Sequence, residues 1–483
     1  MTPGLRGKAI RSSAINSVLS MLLKALLFGQ VVLFTRLFTP EEYGQLTTVL
    51  LIISFATLLG RMGLNEAMVR ESRNPREVLN TAFALSLWIA AGLAALLVVL
   101  SPVLAAVFRR PELAHHLRFL AVMVFIIPFE LPTMLWVREL QFGRSKYASF
   151  ADVLVSTVVT VVLHLGFHLG VLSLLVGRLS GFVVGQGFAW AMLPYRPHPT
   201  LHREHAISLY HFGWPLAISA LCNFAIYQMD DVFVRLFWGD QNLAYYTLAF
   251  ALPYYLKEFT DLMVSSLLPI YSKLSDAHER ARTAFVEVNR YLGIAMAPLG
   301  LALFFFAEPL TILIFGEKWR PTIPVLRVFA WGFTIETLGG YSWGMLVVAR
   351  GKTKLSLIAK SANAAFLLTI GAFLIWKFGI MGGAWAMLGH AVMSVLLIRP
   401  LILYSELGNL YYLRDSWKPL VAAVVAGYIS VFITRWLPAG APALLVSMTS
   451  YIVLYAGLYV LIDRPILQDT RAIASVLAHR PGD

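Results

Sequence analysis

Apolar runs of close to 20 residues follow one another from Ala14 to Ile462, separated by short polar segments. A helix of about 20 apolar residues can cross roughly 30 Å of hydrocarbon. Membrane β-strands would be about ten residues long with strict alternation, which this chain does not show. The pattern predicts an all-α polytopic membrane protein with about 14 helices, at residues 14–38, 43–59, 79–108, 117–137, 149–169, 171–193, 212–237, 243–269, 291–315, 325–349, 355–376, 379–403, 417–436 and 443–462.

The basic residues predict the orientation of these helices, because Lys and Arg beside membrane spans accumulate on the cytoplasmic side. With a cytoplasmic N-terminus, about 26 of the 39 basic residues fall on the inner side of the predicted topology. The asymmetry predicts a multi-pass protein with an even number of helices and both termini in the cytoplasm.

A short repeat indicates two related halves. Residues 34–38 read FTRLF and residues 233–237 read FVRLF, and each copy closes a predicted helix before an acidic residue, Glu41 or Asp240. Six predicted helices separate the copies, so the halves have the same orientation, as in many alternating-access transporters. The predicted domains are a six-helix lobe at 1–193, a cytoplasmic linker at 194–211, a second six-helix lobe at 212–403, and two further helices with a tail at 404–483.

The composition excludes other classes of protein. Of the 483 residues, 58% are hydrophobic and 13% are charged, with a mean hydropathy of +0.72, more than a soluble fold could bury. The net charge of +13 is spread over short loops, whereas nucleic-acid binding needs one basic patch. The single cysteine, Cys222, leaves neither a disulfide framework nor a thiolate metal cluster.

Three local patterns resemble enzyme or metal motifs, and we interpret each as structural. GYSWG at 340–344 has the spelling of a hydrolase nucleophile elbow but lies inside a predicted helix. GKT at 351–353 lacks the earlier glycine of a phosphate-binding loop, because Leu346 stands there. The histidines within 198–205 have no clustered acidic or thiol partner. We therefore predict no enzyme activity, no metal site and no cofactor.

Charged side chains inside the predicted spans are the main functional candidates, because charge in hydrocarbon usually faces a partner or an aqueous cavity. Lys257 and Asp261 are four residues apart on one helical face, which fits a local ion pair as well as a transport role. Glu258 lies near Asp261, and neighbouring carboxylates suit ion coupling. Glycines at 177, 181 and 185 form a stripe that allows close helix packing. Arg178 lies beside this stripe, and its side chain either has a role in transport or extends to the membrane interface. The other candidates of this kind are Lys24, Asp152, Asp230, Asp231 and Glu336.

Several stretches resemble a known family of transporters. They are YQMDDVFVRLF at 227–237, LAYYTLA at 243–249, LPIYSKL at 268–274, LIFGEKW at 313–319 and VLR at 325–327, together with residues 34–46. They are similar to polysaccharide-transporter flippases, the Wzx-like members of the multidrug, oligosaccharidyl-lipid and polysaccharide exporter superfamily, and to their colanic-acid and exopolysaccharide subgroup. The resemblance covers nearly the whole chain.

The resemblance implies a flippase for undecaprenyl-pyrophosphate-linked oligosaccharide repeat units of exopolysaccharide, capsule or O-antigen. Such a flippase works in the bacterial inner membrane by alternating access. Its implied partners are this lipid-linked glycan, a proton or sodium ion, membrane lipids, and the polysaccharide polymerase and export machinery. A lipid II or drug exporter of the same superfamily is one alternative. A membrane-embedded glycan polymerase or ligase is another, although such an enzyme needs a large external loop and the predicted outer loops are short.

The implied cargo assigns roles to the candidates. Pyrophosphate needs cationic hosts, for which Lys offers a point charge and Arg a bidentate fork. Sugars are met by aromatic faces and hydrogen-bonding groups, although packing or interface anchoring is the favoured explanation for any single aromatic residue. The expected pyrophosphate residues are Lys24, Arg61, Arg178 and Lys257, and the expected sugar residues are Tyr227, Gln228, Tyr254, Tyr255 and Trp343. The expected ion-coupling residues are Asp230, Asp231, Glu258, Asp261 and Glu336.

Overall fold

The structure is a computed structural model, which describes residues 3–61, 63–65, 68, 75–138, 142–193, 195–265, 267–274, 277–435 and 440–465. Four basic residues that contribute to the predicted charge asymmetry lie outside these ranges: Arg70, Arg73, Arg471 and Arg480. Within the described ranges the regular elements are helices, and no strand occurs. The predicted all-α fold is confirmed.

The chain forms two compact units that divide between Ala244 and Tyr245. The boundaries of these units differ from those of the lobes predicted from the repeat, 1–193 and 212–403, which stay a prediction. The helices that begin in the first unit are α1 (Pro3–Leu37), α2 (Pro40–Arg61), α3 (Pro75–Val107), α4 (Glu112–Ile126), α5 (Met134–Arg138), α6 (Phe142–Phe167), α7 (Val171–Ala191), α8 (Arg203–Tyr227) and α9 (Met229–Ser265), with a 3₁₀ helix at Ile127–Thr133.

The second unit continues the helical pattern with shorter pieces. Its α-helices are α10 (Leu268–Lys273), α11 (His278–Phe305), α12 (Ala307–Ile314), α13 (Thr322–Leu338), α14 (Trp343–Ala349), α15 (Thr353–Phe366), α16 (Ala372–Met393), α17 (Arg399–Leu407), α18 (Trp417–Thr434) and α19 (Ala441–Ile462). Two π-helical segments, Leu367–Gly371 and Ser394–Ile398, join α15, α16 and α17 into one long stretch.

Eleven helical stretches among the described residues are long and apolar enough to cross a membrane. One of them, Lys354–Leu407, contains two predicted spans and bends at Gly379, whose φ of 65° is accessible to glycine. The predicted continuous helix 325–349 is wrong. α13 ends at Leu338, and Gly340, with a φ of 74°, forms a turn before α14.

The predicted continuous helix 212–237 is also wrong. α8 ends at Tyr227, because Gln228 leaves the helical conformation with φ −138° and ψ −8°. A second break interrupts α9 at Gly239, where φ is 86°. This break follows FVRLF at 233–237, just as α1 ends within FTRLF at 34–38. The repeat therefore marks a helix break in both copies.

Helices α6 and α7 approach closely at the glycine stripe. A Cβ atom on Gly177 would lie 1.9 Å from Thr160 Oγ1, and one on Gly181 would lie 2.4 Å from the carbonyl oxygen of Asp152. Both distances are far below van der Waals contact, so the packing requires glycine at these positions. The predicted structural role of the stripe is confirmed.

Helix α19 is attached to α11 by tyrosine hydroxyls. Pro298 lies inside α11 and has no N–H to donate to the carbonyl oxygen of Ile294. Tyr455 donates a hydrogen bond to that oxygen at 2.7 Å, and Tyr451 donates to the carbonyl oxygen of Pro298 at 2.8 Å. Tyr455 therefore replaces the hydrogen bond that the proline removes.

Candidate functional site

The first unit contains a cavity of about 460 Å³, lined by residues of α1, α2, α4, α6 and α7 and of the adjoining 3₁₀ helix. More than half of the lining residues are apolar. The polar lining residues are Gln30, Ser54, Thr57, Arg61, Glu130, Ser156, Thr160 and Arg178. A largely apolar cavity with a few fixed polar groups is typical of ligand-binding sites.

A second cavity of about 570 Å³ lies between α2 and α8 and shares Ser54, Thr57 and Arg61 with the first. Gln228 lines it at the break after α8, and Ser54 donates a hydrogen bond to the Gln228 side-chain oxygen at 3.4 Å. The other polar lining residues are Ser219, Asn223 and Tyr227. The two cavities therefore adjoin, with uncharged polar groups on one side of Arg61.

The two arginines of the first cavity are each paired with a carboxylate. Arg61 Nη2 lies 2.6 Å from Glu130 Oε2, and these side chains are 49% and 27% exposed. Arg178 Nη1 lies 3.1 Å from Asp152 Oδ1 and 3.2 Å from Oδ2, at 38% and 20% exposure. In their ordinary ionised forms the four side chains sum to zero charge. Both arginines were expected to bind pyrophosphate; Asp152 was a candidate only as a charged residue inside a span, and Glu130 was not a candidate.

The second unit holds a separate polar group on α9. Lys257 Nζ lies 2.7 Å from Asp261 Oδ2, which confirms the predicted ion pair. Tyr341 donates to Asp261 Oδ1 at 2.7 Å, and Tyr254 donates to Glu258 Oε1 at 3.0 Å. Both carboxylates therefore accept hydrogen bonds from tyrosine or lysine side chains.

Comparison with known proteins identifies the family. A model of the family described as polysaccharide biosynthesis protein matches residues 33–324, more than half of the 483-residue chain. The chain belongs to this family. The matched segment includes most residues that line the two cavities, Arg61 and Arg178 among them, and the charged residues Lys257, Glu258 and Asp261 of α9.

Two relatives align with this chain over most of their own length. The succinoglycan biosynthesis transport protein ExoT of Rhizobium meliloti (strain 1021) is 26% identical over 337 residues, which are 68% of this chain and 67% of the relative. The lipopolysaccharide biosynthesis protein WzxC of Escherichia coli (strain K12) is 22% identical over 431 residues, 86% of this chain and 85% of the relative. The lipid II flippase MurJ in its inward closed conformation shares the fold, with a TM-score of 0.74 at 14% identity over 94% of this chain and 100% of that chain.

Three other candidate functional residues lie at or near helix ends. Asp230 and Asp231 lie half-buried in the first turn of α9, where the helix dipole favours negative charge. Trp343 begins α14 and packs against the apolar cluster around Leu346, which matches the packing alternative for this residue.

Two further candidates lie within helices. Lys24 is half-buried on α1, close enough to Lys146 of α6 for the two positive charges to repel each other. The ring of Tyr255 lies next to that of Tyr254, with the ring centroids 6.0 Å apart.

Glu336 is paired with an arginine of the predicted helix 379–403. Arg399 is 4% exposed, begins α17 and is paired with the Glu336 carboxylate. Its guanidinium also donates to the carbonyl oxygens of Glu336 at 2.9 Å and Gly339 at 3.1 Å, and to Ser394 Oγ at 3.1 Å. These acceptors hold Arg399 inside the helical stretch, within the predicted helix 379–403.

A buried charge cluster in the first unit was missed from the sequence. Asp240 is 4% exposed, is paired with Arg235 and with Arg110 Nε at 3.0 Å, and accepts a hydrogen bond from Thr48 at 2.6 Å. Arg110 is also paired with Glu41; this hydrogen bond is the main reason that the pKa of Arg110 is raised. The repeat was the available signal, because Glu41 and Asp240 are its two acidic residues.

The GYSWG motif at 340–344 is part of a buried hydrogen-bond network. Ser342 Oγ lies 2.9 Å from the Tyr271 hydroxyl and accepts a hydrogen bond from Asn289 Nδ2 at 2.8 Å. The Ser342 backbone N–H donates to Asn289 Oδ1 at 3.0 Å. Ser342 is fully buried, so the motif fixes the turn between α13 and α14. No group of three or more metal-ligating side chains occurs among the described residues.

Proposed function

We propose that this polysaccharide biosynthesis protein is a flippase that carries a polyprenyl-pyrophosphate-linked oligosaccharide repeat unit across the bacterial inner membrane. The observation that carries the proposal is the pair of adjoining cavities in the first unit, one with two arginines and the other with amide and hydroxyl groups. The names of ExoT and WzxC, a transport protein for succinoglycan and a lipopolysaccharide biosynthesis protein, support this class of cargo.

The chemistry of the cavities fits the two polar parts of such a cargo. Arg61 and Arg178 bind the pyrophosphate, because planar guanidinium groups form charge-assisted, bidentate hydrogen bonds with phosphate oxygens. Tyr227 and Gln228 bind sugar hydroxyls in the adjoining cavity. Further residues proposed to contact the cargo during transport are Lys24, Lys257, Tyr254, Tyr255 and Trp343.

Ion coupling by a proton or sodium is assigned to the charged group on α9. Glu258 and Asp261 are the principal candidates, because each accepts a hydrogen bond that protonation or ion binding would rearrange. Glu336 is a weaker candidate, because Arg399 holds its carboxylate. Asp230 and Asp231 complete the proposed set.

The proposed arrangement is an alternating-access transporter with lobes at 1–193 and 212–403. Its linker and both termini lie in the cytoplasm, as the distribution of basic residues predicts. The polysaccharide polymerase and export machinery receive the translocated repeat unit.

Reconstituted vesicles test this function. A fluorescent undecaprenyl-pyrophosphate oligosaccharide is placed in one leaflet, and quenching from the opposite side measures its translocation. Wild-type protein should translocate it, and the double variant Arg61→Ala/Arg178→Ala should be at least about tenfold slower, because two charge-assisted hydrogen-bonding groups are lost. Arg320→Ala removes an exposed arginine whose partners are Glu308 and Glu317 and serves as the matched control.

Two results would contradict the proposal. The flippase function is contradicted if vesicles with wild-type protein translocate the lipid no faster than protein-free vesicles. In the same vesicles, an imposed proton or sodium gradient should change the rate, and this response should be lost in Glu258→Gln/Asp261→Asn. A translocation rate that is unchanged by either gradient would contradict the ion-coupling assignment and leave the flippase function standing.

A further inference from the structure

The two carboxylates beside the cavity arginines, Glu130 and Asp152, have no role in the cargo binding described above. Each holds an anionic group where a phosphate of the cargo would bind. We propose that they are intramolecular competitors for the cargo: they occupy Arg61 and Arg178 in the empty cavity, are displaced by the pyrophosphate, and return to release it. This inference rests on the proposed flippase function.

Glu130 is held in place by an irregular segment. The 3₁₀ helix Ile127–Thr133 interrupts the span 112–136 and contains Pro128 and Pro132, which lack the N–H groups of a regular helix. The Thr133 hydroxyl donates to the carbonyl oxygen of Glu130 at 2.6 Å. The backbone is thereby fixed, and the carboxylate lines the cavity opposite Arg61.

Asp152 is held in place by the glycine stripe. A Cβ atom on Gly181 would lie 2.7 Å from Asp152 Oδ1, and one on Gly185 would lie 2.9 Å from Asp152 Cβ. Arg178 lies less than one turn before Gly181 on the same helix, so the space left by the glycine allows the carboxylate to reach the guanidinium. The stripe thus sets the contact between α6 and α7 and also positions the competitor.

The exposure of the pairs allows exchange. Arg61 and Glu130 are both partly exposed and line the cavity, and an ion pair exposed in this way is weak. A pyrophosphate carries more negative charge and more acceptor oxygens than one carboxylate, so it can displace Glu130 from the guanidinium. The pair of Arg235 and Asp240 differs, because both side chains are almost fully buried and water cannot assist their separation.

Competition of this kind regulates release. Without the carboxylates, two unopposed guanidinium groups would bind the pyrophosphate more tightly and give it up more slowly. With them, the loss of each phosphate contact is offset by the return of a carboxylate. Glu130 and Asp152 therefore lower cargo affinity and raise the rate of each transport cycle.

Equilibrium binding of radiolabelled undecaprenyl pyrophosphate, which carries no sugar, to the full-length protein in nanodiscs tests the proposal. Glu130→Gln should bind this lipid about fivefold more tightly, the change that an exposed ion pair is worth, and should dissociate more slowly. Translocation in vesicles at saturating cargo should slow accordingly. Glu130→Asp retains the charge and should move both values back toward those of wild type.

The controls separate this role from a structural one. Arg61→Ala should weaken binding, and Glu317→Gln, which removes an exposed carboxylate paired with Arg320, should leave it unchanged. If Glu130→Gln binds the lipid equally or less tightly while wild type binds it, the competitor role is wrong and the flippase function stands. If wild type itself does not bind undecaprenyl pyrophosphate, the proposed cargo chemistry fails and the competitor role fails with it.

Discussion

At the scale of single residues, the ion pairs of the first unit differ mainly in their contact with water. Arg61 and Glu130 in the cavity are partly exposed, whereas Arg235 and Asp240 are almost fully buried. Desolvation makes a buried charge depend on its partner, because removing the partner leaves an uncompensated charge. The cavity pairs therefore suit exchange with a ligand, and the pair of Arg235 and Asp240 suits stability.

The buried pair gives a prediction for stability. Asp240→Asn leaves the buried Arg235 without its counter-charge, so the free energy of unfolding should fall by about 3–5 kcal/mol. Denaturant unfolding of the purified protein in detergent measures this change. Glu317→Gln, at an exposed ion pair, should leave the stability nearly unchanged. Equal stability of Asp240→Asn and wild type would show that the pair contributes nothing.

Sequence reasoning found some of these contacts and missed others for a physical reason. The pair of Lys257 and Asp261 follows from helix geometry alone, because its members are four residues apart. Arg61 and Glu130 are separated by 69 positions, and no local rule relates them. The cationic candidates could therefore be chosen from the sequence, whereas their pairing with Glu130 and Asp152 required the tertiary structure.

At the scale of helices, most spans were predictable and their breaks were not. Length and apolar composition determine which segments can cross a membrane, and the eleven stretches found among the described residues overlap twelve of the fourteen predicted spans; 243–269 and 325–349 are the exceptions. The breaks at Gln228, Gly239 and Gly340 depend on single residues inside apolar surroundings. Membrane helices often contain glycine without breaking, so only packing against neighbouring helices decides the outcome.

The end of α19 is fixed by one carboxylate. Asp463 Oδ2 lies 3.0 Å from Arg290 of α11, and Asp463 Oδ1 lies 3.4 Å from Lys418 of α18. Burial alone would raise the pKa of Asp463, but the Tyr459 hydrogen bond and the charges of Arg290 and Lys418 outweigh it and lower the pKa below 3.8. A carboxyl group of this kind stabilises the fold above its unfolded pKa and loses that effect as the pH falls through its folded pKa.

This linkage predicts how stability depends on pH. Asp463→Asn should unfold at a lower temperature than wild type at pH 7, because the ionised carboxylate is lost. The difference should shrink as the pH falls below 3.8 and passes through the lowered pKa of the folded protein. Thermal unfolding of both proteins across this range measures it, and a difference that is constant with pH would contradict the assignment.

At the scale of the whole molecule, the apolar composition, the helical fold and membership of the polysaccharide biosynthesis family all support the same functional proposal. The cavities with Arg61 and Arg178 belong to the first unit, and the pair of Lys257 and Asp261 belongs to the second. In our proposal, the pyrophosphate site of Arg61 and Arg178 lies in the first unit, and the principal coupling carboxylates, Glu258 and Asp261, lie in the second.

The most direct test of the flippase function is the identity of the lipid intermediate that accumulates when the gene is removed from its own bacterium. Mass spectrometry of the extracted polyprenyl lipids identifies the intermediate, and its accessibility to added enzymes in inside-out vesicles shows the leaflet. We expect a complete oligosaccharide repeat unit on undecaprenyl pyrophosphate, confined to the cytoplasmic leaflet. Accumulation of lipid II, or of completed repeat units in the periplasmic leaflet, would contradict the proposed function.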